Sequence, residues 1–218
     1  MTFCGRPRKG SLLWGIPILS EIIIASRNRG KISEIKSIID VESLVCHDLD
    51  SLGFNDEIAE TGSSFEENAL LKARAVYERY GLPVVADDSG LTVDYLRGAP
   101  GIFSARFSGP GATDRENNEL LLSMLDGVPP GLRSAYFVCC ACFLYDKDRY
   151  VTTEGRVGGF ITYEPEGENG FGYDPIFYLP GYRKTIAQLA EEEKNLISHR
   201  AVSFRKLKPH IEEHFTNQ

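Results

Sequence analysis

The segment Ser134–Tyr145, Ser-Ala-Tyr-Phe-Val-Cys-Cys-Ala-Cys-Phe-Leu-Tyr, is apolar at odd and even positions alike. Side chains alternate between the faces of a strand, so this strand is apolar on both sides and needs cover on both. Ile22-Ile23-Ile24-Ala25 and Pro83-Val84-Val85-Ala86 are shorter apolar runs of the same kind. Further strands are expected near Leu44–Cys46, at Leu91–Tyr95, at Tyr150–Val157 and at Pro175–Tyr178. Helical spacing alternates with them: Ile32, Ile35, Ile38 and Ile39; then Phe65, Ala69, Ala73, Val76 and Tyr80; then Leu120, Leu121, Met124 and Leu125; finally Val202, Leu207 and Ile211. Asn28, Ser64 (with Glu67) and Thr113 (with Glu116) have the character of helix N-caps, and the last helix should start near Ser198. Strands and helices interleave, but the middle of the chain is strand-rich. A mixed β-sheet flanked by helices, of the α/β class, therefore fits better than a strictly alternating parallel fold. The 218 residues suffice for one domain, or for two lobes sharing a core.

Net charge is -7, which disfavours a nucleic-acid polymer as partner but not a small phosphorylated ligand met by a local basic cluster. The five cysteines, at positions 4, 46, 139, 140 and 142, form no disulfide framework. They read as small buried hydrophobes in a reducing compartment, and Cys139 and Cys140 should face opposite sides of their strand. Arg6, Arg8 and Lys9 ahead of Leu12–Leu19 imitate a secretory signal, yet Gly15 and Pro17 break the stretch and Glu21 interrupts it before Ile22. No run reaches the ~18 apolar residues of a membrane span. Residues 1–20 are read as an extension without catalytic part, and residues 21–218 as the single functional domain.

Five groupings could carry chemistry. Ser26-Arg27-Asn28-Arg29-Gly30-Lys31 lies between a strand and a helix N-terminus, where free N–H groups and the helix dipole favour an anion; an ordinary capped turn reads equally well. Asp87-Asp88-Ser89 closes an apolar strand, where carboxylates need a cation or a proton, and a hard divalent metal would suit them. The alternative is a turn capped by Asp and Ser. Asn68 and Lys72, four apart on one helix, join Glu60 in the preceding loop, or form a solvated face. Phe171-Gly172-Tyr173-Asp174 offers an aromatic face to a base, or a turn with core aromatics. Lys194 is followed by Ser198-His199-Arg200 at a helix start, where His199 is a donor, a base or a cap.

Taken in order, these pieces resemble the inosine triphosphate pyrophosphatase family. The match also includes Thr61-Gly62, Phe65, Ala69 and Ala73, Gly90-Leu91, Pro100-Gly101, Ser104-Ala105-Arg106, Pro175-Ile176-Phe177 and Glu193, and spans residues 21–208. Ser26 stands where many bacterial members have Thr, and keeps the hydroxyl. The resemblance implies a long mixed sheet between two helical lobes, a central cleft and a cytoplasmic homodimer. It implies hydrolysis of ITP, dITP and XTP to monophosphate and pyrophosphate with Mg2+ as cofactor. Ser26 to Lys31 would bind the triphosphate. Asp88 would be general base and magnesium ligand, with Asp87 beside it; Glu60 would be the second metal carboxylate. Lys72 would act on the phosphates with Lys31. Asn68 and Ser89 would contact substrate. Phe171, Gly172, Tyr173, Asp174, Lys194, His199 and Arg200 would hold the nucleoside, with His199, Arg200 or nearby backbone donating to a 6-keto oxygen. The alternatives are a pyrophosphatase for pyrimidine or modified nucleotides, and a silent nucleotide sensor.

Overall fold

The structure, a computed structural model, describes residues 20–41 and 43–216. The expected extension lies outside these residues, as does Cys4, except that Ser20 already belongs to the first strand. The elements are β1 (Ser20–Ile24), α1 (Arg29–Ile39), β2 (Leu44–Asp48), α2 (Phe65–Tyr80), β3 (Val84–Val93), α3 (Asp114–Met124), β4 (Ser134–Asp146), β5 (Arg149–Ile161), β6 (Phe177–Leu179), β7 (Lys184–Thr185), α4 (Glu191–Ile197) and α5 (His199–Thr216). They form one seven-stranded sheet in the order β2-β1-β3-β4-β5-β6-β7. β1 runs parallel to β2 and β3, and every later pairing is antiparallel. The sheet is mixed, as expected.

β4 is buried on both faces because helices cover both. On one side Ile35 and Ile39 of α1 and Phe204, Leu207 and Ile211 of α5 pack on Ile22, Ile24, Cys139 and Phe143. On the other, Ala69, Ala73 and Val76 of α2 pack on Ile23, Val84, Cys142 and Leu144. A third cluster, Leu91, Val93, Leu121, Phe137 and Phe177, fills the far end of β3 and β4. Residues Asp87–Gly90 of β3 lie at the junction between that end and the first two clusters. The three described cysteines of β4 are buried and Cys46 is half-buried, all as free thiols. Cys139 and Cys142 sit in opposite-face clusters, and burial pushes the thiols of Cys140 and Cys142 up to about 12, so they stay protonated. Among the described residues no helix is long and apolar enough to cross a membrane.

Local signals account for the helix starts. Asn28 Oδ1 accepts Lys31 N at 3.1 Å, and Thr113 and Glu116 form a full capping box. Ser64 accepts Glu67 N at 3.1 Å, but Glu67 returns its carboxylate to Ser63, one residue earlier than expected. Ser198 Oγ accepts Ala201 N at 3.0 Å and opens α5.

The strands differ from expectation in several places. The strand expected as Leu91–Tyr95 stops at Val93 and passes into a 3-10 turn at Asp94–Leu96, and the short β7, Lys184–Thr185, was not expected. β3 does not end at Asp87; it continues through both carboxylates to Val93, because each finds cations on its own face of the sheet. Pro175 lies in a 3-10 turn, Asp174–Ile176, so β6 starts only at Phe177. β5 extends past Val157 to Ile161, through Gly158 and Gly159.

Gly155 of β5 lets α5 lie directly on the strand: a Cβ there would overlap the His199 carbonyl oxygen and the Ser203 amide. Both obstacles are backbone, so Gly155→Ala is expected to cost about 1–3 kcal/mol. That is several degrees of Tm for a domain of this size, readable by thermal denaturation.

Candidate active site

The turn after β1 is built by its own side chains. Ser26 Oγ accepts Asn28 N at 3.2 Å, and Asn28 caps α1. Arg27 donates to the carbonyls of Phe54 and Asp56, both at 2.9 Å, and so pins the 54–56 loop at the cleft edge. Arg29 is exposed and outside the lining of the cleft. Gly30 lies against Phe171, where a Cβ would be 3.1 Å from the ring. Of the three cations in this turn, Lys31 alone reaches β3, with Nζ 2.9 Å from Asp87 Oδ2.

Strand alternation sends the two aspartates to opposite faces. Asp87 faces α1 and α5. It accepts from Lys31 and from Arg200 Nε and Nη2 at 3.3 and 3.4 Å. Burial alone would raise its pKa, but Lys31 and Arg200 outweigh burial and hold the carboxyl well below the usual range. Asp88 faces α2. It accepts from Asn68 Nδ2 at 3.1 Å and Lys72 Nζ at 3.0 Å. Here burial prevails over Lys72 and the more weakly acting Lys31, and the carboxyl is pushed up. Lys72 also reaches Glu60 Oε1 at 3.0 Å, and Arg106 approaches Glu60 Oε2 at 3.4 Å. Glu60 would be raised by burial, but Lys72 and then Arg106 bring it below its ordinary value.

The other wall holds a buried chain of alternating charge. Arg200 Nη1 donates to Glu34 Oε2 at 2.6 Å and Nη2 to Ser89 Oγ at 3.0 Å. Lys194 Nζ lies 2.7 Å from Asp174 Oδ2 and 3.5 Å from Glu34 Oε1, and 4.3 Å from the centre of the Phe171 ring. Burial pushes the Asp174 carboxyl up despite that ammonium. Asp174 also accepts Phe171 N at 3.0 Å, and Gly172, at φ 63°, is tied to α3 through Asp114 and Asn118. Tyr173 donates to Ser104 O at 2.8 Å. His199 is buried and stacked on Phe137, with ring centres 4.9 Å apart. Burial, then Arg200, drive its pKa well below the ordinary value, so the ring is neutral, and Nδ1 has no hydrogen-bond partner.

These walls enclose a cleft with two connected chambers. The inner one, about 190 Å3, has Lys31, Asp88, Ser89, Phe171, Lys194 and His199 in its lining. The outer one, about 270 Å3, is bounded by Ser26, Arg27, Lys72 and Asp87. Asn28, Lys31 and Glu60 border both. Sequence reasoning overlooked Glu34, Arg106, Asp114 and Asn117 as parts of this site. Arg106 stood within a matched triplet; Glu34, between Ile32 and Ile35, drew no reading of its own.

Sequence and structure comparisons converge on one family. A sequence model of the Ham1 family matches residues 22–210. The dITP/XTP pyrophosphatase of Bacillus licheniformis is 45% identical over 189 residues, covering 87% of this chain and 96% of that protein. That of Bacillus subtilis is 45% identical over 195 residues, covering 89% and 98%. The HAM1 protein from Coxiella burnetii superposes with a TM-score of 0.82 at 41% identity, covering 89% of this chain and 99% of that one. The Staphylococcus aureus Ham1 protein does so with a TM-score of 0.81 at 42% identity, covering 89% and 100%. The matched span contains every residue of the cleft, from Ser26 to Arg200, and the chain belongs to the Ham1 family.

Proposed function

We propose that this chain is a nucleoside triphosphate pyrophosphatase that converts ITP, dITP and XTP to the monophosphate and pyrophosphate, clearing non-standard purines from the nucleotide pool. One observation carries the reading: Lys31 and Asp88 border the same cleft, and Asp88 is set apart electrostatically from its neighbour Asp87. Environments that drive two carboxyls in opposite directions mark different roles. Asp87 anchors Lys31 and Arg200. Asp88, pushed up and fixed by Asn68 and Lys72, is the better proton acceptor, and it orients and deprotonates the water that attacks the α-phosphorus. Lys31 and Lys72 meet the charge growing on the leaving pyrophosphate. Because Asp88 must be ionised to act and its pKa is raised, the acid limb of the rate should fall above 3.8, the ordinary value.

Magnesium fits the donor set. Glu60 and Asp88 converge on a single point of the cleft, where Lys72 Nζ lies 3.0 Å from each. Among the described residues no group of three or more Asp, Glu, His or Cys side chains converges on a metal position. One or two carboxylates completed by substrate phosphates is a common magnesium arrangement. The bound ion would supply neutralising charge at the phosphates. Chelation should abolish turnover, and added Mg2+ should restore it.

At the base end, Phe171 presents its ring and His199 a neutral imidazole, which donates in the tautomer with its proton on the nitrogen facing the base. Arg200, the other donor candidate, has its guanidinium engaged by Glu34, Asp87 and Ser89, so His199 is the better partner for a 6-keto oxygen. A 6-amino group would meet it donor to donor. A substrate panel tests this: ITP, dITP and XTP should exceed ATP in kcat/KM by about two orders of magnitude or more. Pyrophosphate, not inorganic phosphate, should be released. A preference for UTP would favour the pyrimidine alternative, and binding of ITP without product would favour a sensor. The family resemblance further supports a homodimer acting in the cytoplasm, and sedimentation measures the first of these.

A further inference from the structure

At the acidic point of the cleft, all four carboxylate oxygens already have a donor from the chain itself. Lys72 Nζ lies 3.0 Å from Glu60 Oε1 and 3.0 Å from Asp88 Oδ1. Asn68 Nδ2 donates to Asp88 Oδ2 at 3.1 Å, and Arg106 Nη1 to Glu60 Oε2 at 3.4 Å. The charges also balance, two carboxylates against one ammonium and one guanidinium. The Lys72 side chain is only 11% exposed, so the ammonium is held here by the carboxylates and has little water to replace them.

A magnesium-sized ion on these oxygens sits about 2.0–2.1 Å from each. That is within the space the ammonium occupies, and two cations so close repel strongly where water is scarce. The ion and the ammonium exclude each other. The outer chamber, which Lys72 borders together with Ser26 and Lys31, is a place nearby where a polyanion could take the ammonium instead.

We infer that Lys72 is a tethered stand-in for the divalent cation. It holds Glu60 and Asp88 together in the nucleotide-free enzyme and yields to the metal only when a triphosphate accepts its ammonium, so metal and nucleotide load together. The inference rests on reading Glu60 and Asp88 as the metal's carboxylates.

Mn2+ binding to the full nucleotide-free chain, followed by calorimetry and by electron paramagnetic resonance of the free ion, tests it. Lys72→Met and Lys72→Gln should bind Mn2+ more tightly than wild type by about tenfold or more, within the usual range of coupling between competing ligands. Adding Glu60→Gln should remove that gain. Equal or weaker binding in the Lys72 variants overturns the inference. Lys72→Gln, which keeps a polar group at the position, carries the test if Lys72→Met fails to fold by circular dichroism. The underlying reading has its own check: with a non-hydrolysable triphosphate present, Mn2+ binding should depend on Glu60. Binding indifferent to Glu60→Gln under that condition sinks the metal reading and the inference with it.

Discussion

Asp88→Asn is expected to lower kcat by about 10²–10⁴-fold, the usual worth of a positioned general base, while changing Tm little. The change is nearly isosteric and Lys72 keeps Glu60 as its partner at 3.0 Å, so the cleft should hold its shape. The small size of the stability effect comes from electrostatics. Burial raises the Asp88 pKa, which means its charged form is disfavoured in the folded protein near neutral pH. Removing that charge relieves a desolvation cost but also takes a partner from Lys72, whose pKa Asp88 raises, so the two effects offset. The adjacent variant gives the contrast. Asp87 is held below its ordinary value by Lys31 and Arg200, so Asp87→Asn should lower Tm. Steady-state kinetics and thermal melts of the two variants side by side check the division of labour. Near-normal turnover in Asp88→Asn would refute it.

Most of the architecture was legible because it depends on local pattern. The apolar runs at Ile22–Ala25 and Val84–Ala86 and the long run from Ser134 became strands, and the isoleucine spacing after Asn28 became α1. What the sequence hid are the partners of charges. Asp87 and Asp88 looked like the end of a strand because the cations that let the strand continue are remote: Lys31 lies 56 positions from Asp87, and Arg200 lies 113. Glu34 carried no signal because its partner Arg200 is 166 positions away. Arg27 and Arg29 carry the same charge as Lys31, yet one is engaged by loop carbonyls and the other is exposed; no spacing rule separates the three. The acidic start of α4, Glu191 to Glu193, suits a helix N-terminus but was masked by the polar segment around it.

The same remote partners set the largest expected stability effect. Arg200→Leu should destabilise the fold by about 3–5 kcal/mol, because it leaves buried carboxylates without their main cation. Its side chain is 1% exposed and serves Glu34 and Asp87 at once. Lys31 still reaches Asp87, and Lys194 lies 3.5 Å from Glu34, so the loss should be large without abolishing folding. For a chain of this length the drop in Tm is on the order of 10 °C. A double variant, Arg200→Leu with Glu34→Leu, restores the charge balance around Asp87 and should recover part of the loss, since the two side chains interact directly. The pH dependence gives a second readout. A carboxyl whose folded pKa is depressed adds stability above its ordinary value, 3.8 for Asp87, and loses it as pH falls below that. After Lys31, Arg200 is the main cause of the Asp87 depression, so the gap between wild type and Arg200→Leu should narrow below pH 3.8. Denaturant melts across that range measure it. A gap constant with pH would mean that Arg200 supports the fold by packing and not by charge.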